Sequence, residues 1–447
     1  MTNKATYLRL AVQSLALTLL VGCSLFRSDE EASALPTATV RPTAIGTPPE
    51  TSPPGDDTPS PPLAEQGPLT IVLWTSEDYA PTSETEGGMH LLRQIQAFQQ
   101  DHGVRVEVIL KKRSGTGGLL DFLMTASVAA PSVLPDLITL SDADLYRAAQ
   151  AGLLQPLDDL VSSELLNEQF DFARTLTSLE GTAIGVLYQA DLSHLVYDTT
   201  AIEETPRSWR DIYSSTVPFV FSPAAPSDGV NTAILTQYLA LGGELMDEND
   251  RPTLDLEPLT EALEFFQKAR QADVIPSSVL QLTDATTVWA TYRIGEAGMV
   301  QVPVGIYLAE RAGLSNTSFG PIPLRTPGAT TIGRGWALAL VTQDPERQEL
   351  SAALIEHLLA PDNNGTWTYA AGRLPTRYAA FEAWDSGDPY LPFIRNLLAE
   401  AKPAPNPDLA SAIGGPLAEA LAKVLSGQAT PAEAAQAAVE TVEGGQR

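Results

Sequence analysis

From Leu69 onward, short apolar runs alternate with stretches of helical amphipathic period, and this alternation narrows the possible folds more than any other feature. Strands separated by helices indicate an α/β architecture with largely parallel sheets. Leu69-Thr70-Ile71-Val72-Leu73-Trp74 reads as a buried first strand. Leu91, Leu92, Ile95 and Phe98 then mark one face of a helix that Gly103 stops, and Val104, Val106 and Val108 alternate as a second strand. Asp136 to Leu140 reads as a third strand, followed by a helix over Leu145–Leu154 interrupted at Gly152. Later helices carry start signals at Asp255–Pro258 and Asp344-Pro345, and Thr430-Pro431-Ala432-Glu433 joins a capping box to a proline at the first helical position.

The first 68 residues follow different rules. Lys4 and Arg9 precede an apolar run, Leu10–Gly22, too short to span a bilayer and suited to the core of a secretory signal, which places residues 1–22 as a signal peptide. The run ends in Leu20-Val21-Gly22-Cys23, similar to the lipobox of bacterial lipoproteins, so Cys23 is the expected lipidation site. The remainder of 23–68 is rich in Pro, Thr and Ser and cannot bury enough apolar surface to offset its ordering entropy, so it reads as a disordered tether. Cys23 is the chain's single cysteine, which excludes internal disulfides and multi-cysteine metal sites. A net charge of −28 argues against nucleic acid as a partner.

Taken in order, several segments resemble bacterial extracellular solute-binding lipoproteins of ABC importers, family 1, the group that includes the maltodextrin- and sugar-binding proteins. They are Ile95–Val106, Pro135–Ile138 with Ala151–Asp158, Leu195–Asp198, Pro206–Ile212, Gly242–Glu244, Gly295–Met299 and Gly372–Thr376. The resemblance implies a two-lobed periplasmic-binding-protein-like α/β fold of class II type, with a hinge and a ligand cleft between the lobes. One lobe would take about 69–178 and 316–343, the other about 179–315 and 344–447. It further implies a monomer held by its lipid on the outer face of the cell membrane, periplasmic or cell-surface. There it would capture a mono- or oligosaccharide by lobe closure and pass it to ABC permease subunits. No cofactor and no metal are implied.

Sugar sites stack aromatic rings on apolar sugar faces and take hydroxyls with carboxylates, amides and arginines. On the resemblance, Trp74, Glu77 and Asp78 line the cleft after the first strand, and Ser141 and Asp142 do so after the third. Ser141 or Asp142 could equally cap the helix that follows. Tyr188, Gln189 and Asp191 would occupy the segment crossing the hinge, with Arg334 and Trp336 on the returning strand as a clamp and a stack and Arg373 reaching the cleft. The sequence departs from the maltodextrin pattern at Leu140 and over Val302–Tyr307, where Tyr307 is the candidate substitute for a missing stacking ring. Trp367 and Tyr369 read as helix packing. A sensor role on the same fold, a polyamine ligand and a secreted glycosidase are the alternatives. There is no Gly-x-Ser-x-Gly elbow, His-Glu-x-x-His motif or phosphate loop, so the chain is read as a binding protein and not an enzyme.

Overall fold

The computed structural model describes residues 68–225 and 229–445; the expected signal peptide, Cys23 and all of the tether up to residue 67 lie outside the described residues. Twelve strands form two main sheets and one small hairpin among the described residues. β1 (Thr70–Ser76), β2 (Arg105–Lys111) and β3 (Leu137–Ser141) are parallel, as the alternation predicts, with β1 in the middle. β4 (Ser178–Leu179) and β5 (Thr182–Ala183) make the hairpin. β6 (Val186–Asp191) is followed, after the single residue Leu192, by β7 (Ser193–Asp198). β8 (Phe219–Val220), β9 (Met299–Pro303) and β10 (Thr317–Gly320) join β7 in a four-stranded sheet, order β10-β7-β9-β8. β11 (Ile332–Leu340) returns to the first sheet, antiparallel between β3 and β6, and β12 (Lys402–Pro403) pairs with its first residues.

Local signals in the sequence are realised closely. The helix Glu86–His102 ends on Gly103 in the left-handed conformation (φ 65°). Asp344 caps Pro345–Leu359 through the amide of Arg347, and Thr430 and Glu433 form the reciprocal capping box of Pro431–Gly444. Asp136 ties three elements together: its carboxylate accepts the β1 amide of Val72 at 2.8 Å and pairs with Arg347 at 2.9 Å.

Two expectations need correction. The second sheet is not largely parallel: β7 is antiparallel to both β9 and β10, and only β8–β9 is parallel. The sheet memberships also differ from the lobe limits read in the sequence. β6 belongs with β1, β10 belongs with β7, and the helices Pro345–Leu359 and Pro361–Ala370 pack on Glu86–His102 beside the first sheet. Strand identity is local, whereas the choice of partner strand is made by packing elsewhere in the chain.

His194, at the start of β7, is fully buried. Its Nδ1 donates to the Leu195 carbonyl (2.9 Å), which leaves Nε2 to accept from the Tyr390 hydroxyl (3.0 Å). Burial pulls its pKa down from 6.5 to about 4. Between these values the unfolded chain binds a proton that the folded chain refuses, so the contribution is complete above pH 6.5 and is lost as pH falls toward 4. Unfolding titrations from pH 7 to pH 4 should show about 3 kcal/mol of stability lost through this residue. In His194→Gln that part of the pH slope should vanish; an unchanged slope would assign it to other groups.

Candidate functional site

The site forms where β1 and β6 end and β11 begins, beside the single-residue crossing to the second sheet. β11 presents Trp336 directly opposite Gln189 on one side and Ser141 on the other, with Arg334 opposite Asp191. Directly opposed residues share a face, so these side chains line one surface of the sheet. The register slips next to Trp336: Trp336 pairs with Gln189 and Ala337 with Leu187, leaving Tyr188 as the extra residue of a bulge. Side chains replace the lost ladder bonds. Asn364 donates to the Tyr188 carbonyl (2.9 Å), while Gln169 and Thr376 donate to that of Leu187 (3.0 and 2.9 Å).

The bulge brings Tyr188 into an aromatic cluster. Its ring stacks on Trp367 with centroids 4.1 Å apart, and Tyr79 lies 6.3 Å from Tyr188, 5.2 Å from Trp336 and 6.1 Å from Trp367. Gln189 donates to the Tyr79 hydroxyl at 3.0 Å. The Tyr188 hydroxyl and the Oε1 of Gln189 are buried without a hydrogen-bond partner among the described residues. Leaving such a group unpaired costs about 1–3 kcal/mol. Burial raises both phenol pKa values.

Two guanidinium groups lie against the cluster. Arg113 lies 4.8 Å over the Trp336 ring and pairs with Asp78 at 3.1 Å. Arg373 lies 5.8 Å over Tyr79, against Gly305, where a Cβ would approach it to 3.4 Å. Because Gly305 belongs to the helix Val304–Glu310 that follows β9, Arg373 touches both sheet bodies. Burial raises the Asp191 pKa, opposed by Arg373, by the amides of Leu192 and Gly305, and by Arg113. A cleft of about 620 Å³, within the range of small-molecule sites, opens outward past Glu77, Asp78, Thr82, Glu84 and Trp367.

Of the residues expected at the site, Asp78, Tyr188, Gln189, Asp191, Arg334, Trp336 and Arg373 come together here, and Glu77 stands at the exposed rim. Four serve other contacts. Trp74 is buried against Phe122 with the Lys111 ammonium 4.5 Å over its ring. Ser141 caps the helix Asp142–Gln150 by accepting the amide of Asp144, and Asp142 is buried in that helix's first turn. Tyr307 packs among His194, Phe319 and Tyr390 beside the second sheet and supplies no ring to the cluster. Tyr79, Arg113 and Trp367 are additions. Tyr79 and Arg113 follow strand ends, where the rule that placed Glu77 and Asp78 would have found them; Trp367 carried only a helical-packing signal. Among the described residues no three His, Cys, Asp or Glu side chains are placed to hold a metal ion.

Two sheet bodies joined by a single-residue crossing, with a cleft lined by Tyr79, Trp367 and Arg373 beside it, have the architecture of a solute-binding protein of the two-lobed kind. The chain belongs to the bacterial extracellular solute-binding protein family, whose sequence profile matches residues 93–390. It is 24% identical over 268 residues to the maltotriose-binding protein of Pyrococcus abyssi, a match covering 58% of this chain and 54% of that one, so the chain spans about half the length of this relative. Among solved structures, the cyclic alpha-maltosyl-1,6-maltose binding protein of Arthrobacter globiformis superposes with TM-score 0.68 at 18% identity, covering 85% of this chain and 99% of that one. Maltose-bound MalE3 of T. maritima superposes with TM-score 0.65 at 19% identity, over 84% and 99%. At these identities the structures establish the shared fold. The family is one of solute-binding proteins, and the chain is a binding protein on that ground. No helix among the described residues is long and apolar enough to cross a membrane.

Proposed function

We propose that this protein captures a saccharide between its two lobes and delivers it to the permease of an ABC importer, held at the outer face of the cell membrane by acyl chains on Cys23. The observation that carries the reading is the cleft of about 620 Å³ lined by Tyr79, Trp367 and Arg373 together with Glu77, Asp78 and Thr82. Aromatic rings with a few convergent polar groups are the chemistry that recognises sugars. A ligand touching Arg373 on one body and the helix at Gly305 on the other binds the closed form better and shifts the equilibrium toward it. The maltotriose- and maltose-binding relatives support a saccharide as the ligand class. Thermal unfolding of the full chain against a saccharide panel tests the reading. A ligand at a hundred times its Kd adds about 2.7 kcal/mol and raises the midpoint. A panel in which a polyamine stabilises and no saccharide does would remove the sugar assignment. The anchor has its own check: Cys23→Ser should release the protein from the membrane fraction.

A further inference from the structure

The chain passes between the sheet bodies at Leu192 and again between β10 and β11, and hydrogen bonds cross-link these passages. The Leu192 carbonyl accepts the Val304 amide at 2.8 Å, and the Leu192 amide is held by Asp191 Oδ1 at 2.9 Å. Thr331, fully buried just before β11, donates its hydroxyl to the Ser193 carbonyl, and its own carbonyl accepts the Lys402 amide, both at 2.8 Å. Bending the chain here would break bonds that water cannot reach to replace, so these passages act as a pivot and rotation of the bodies is absorbed elsewhere.

The helix Pro407–Ser426 is fastened to both bodies. Its first turn is tied to the first body through Asp408, whose carboxylate accepts the hydroxyl of Tyr146, from the helix Asp142–Gln150, at 2.9 Å. The same helix packs on Leu256–Gln271, whose Phe266 lies 5.3 Å from Phe221 beside β8 of the second body. Its Gly414 approaches Gly229 so closely that a Cβ would stand 2.9 Å from the Gly229 carbonyl oxygen. Between Asp408 and Gly414 the helix is weakened. Pro416 stands in its interior and has no N–H to give the Ala412 carbonyl, so one rung of the helix is missing there. The adjoining Gly415 is exposed, and nothing lies within 4 Å of its Cβ position, so packing does not require a glycine at this point.

We propose that the two bodies turn about the Leu192 and Thr331 pivot, and that the helix Pro407–Ser426 is the strap that bends, at residues 412–416, to let them do so. This rests on the reading of the protein as one that closes on its ligand; the measurement uses no ligand, so a failure here leaves the saccharide reading standing. Spin labels on Glu107→Cys of the first body and Glu203→Cys of the second, both exposed, are placed in the full chain with its single cysteine removed as Cys23→Ser. Double electron–electron resonance then reads the spread of distances between the bodies. The double variant Gly415→Ala, Pro416→Ala completes the helical bond to Ala412, and should narrow that spread to about half its width. Amide exchange over residues 412–421 should slow at least tenfold in the same variant. Thr331→Val removes the hydroxyl from the pivot at nearly constant volume and should widen the spread. Slowed exchange with an unchanged spread would overturn the proposal, because a stiffer strap would then leave the bodies as free as before. Exchange that does not slow would equally overturn it, since the helix would not be weak at Pro416, and so would a spread that Thr331→Val leaves unchanged or narrows.

Discussion

Trp336→Ala is expected to cost about 3–5 kcal/mol of unfolding free energy, far more than removal of a ring whose only work is to stack on a sugar. The ring is 4% exposed and sits on β11 between β3 and β6, 5.2 Å from Tyr79 and under the Arg113 guanidinium. Truncation leaves a cavity where β3, β6 and β11 meet at the end of the first sheet and also frees Arg113 and Tyr79, which touch the ring. Trp336→Phe should retain most of the stability. Urea unfolding of the two variants decides the point. Should Trp336→Ala keep its denaturation midpoint and lose only ligand affinity, the ring would be a ligand platform, as the sequence alone allowed, and not packing that holds the platform in place.

What the sequence made legible was local. Gly103 as a helix stop, Asp344 and Thr430 as caps, and the three segments β1, β2 and β3 as strands all depend on residues close in the chain, and they fall where the pattern puts them. The site was half legible. By resemblance Asp191 could be placed in the hinge-crossing segment and Arg334 on the returning strand, but their facing positions depend on β6 pairing with β11 over 140 residues away in the chain. The bulge at Tyr188 is invisible in composition, because it exists only through the register of a distant strand and through Asn364, Gln169 and Thr376, which satisfy the carbonyls it frees. Trp367 illustrates the same limit from the other side. Its helical spacing correctly signals packing, and the surface it packs against turns out to be Tyr188 of the site. Ser141 was ambiguous between ligand and cap, and the cap, which needs only a neighbour three residues on, is what the fold uses.

That dependence on a distant scaffold makes Gly365 the most exacting position outside the cleft. Gly365 lies in the helix Pro361–Ala370, where it crosses the turn Ala379–Ala383 so closely that a Cβ would stand 1.9 Å from the Ala380 carbonyl oxygen and 2.9 Å from the Ala383 Cβ. The nearest atom is backbone, so no side-chain rotamer relieves the contact and the helix itself must shift. One residue earlier on this helix is Asn364, which caps the freed Tyr188 carbonyl, and two residues later is Trp367, which stacks on the Tyr188 ring at 4.1 Å. Gly365→Ala should therefore lower stability by about 3 kcal/mol and, in the fraction still folded, weaken ligand binding at least tenfold, although residue 365 touches no ligand. Thermal melts paired with calorimetry at a temperature well below the midpoint separate the two effects. A variant that melts early but binds normally would mean that the Ala379–Ala383 turn yields outward and the helix stays in place, and the bulge would then owe its position to β11 alone.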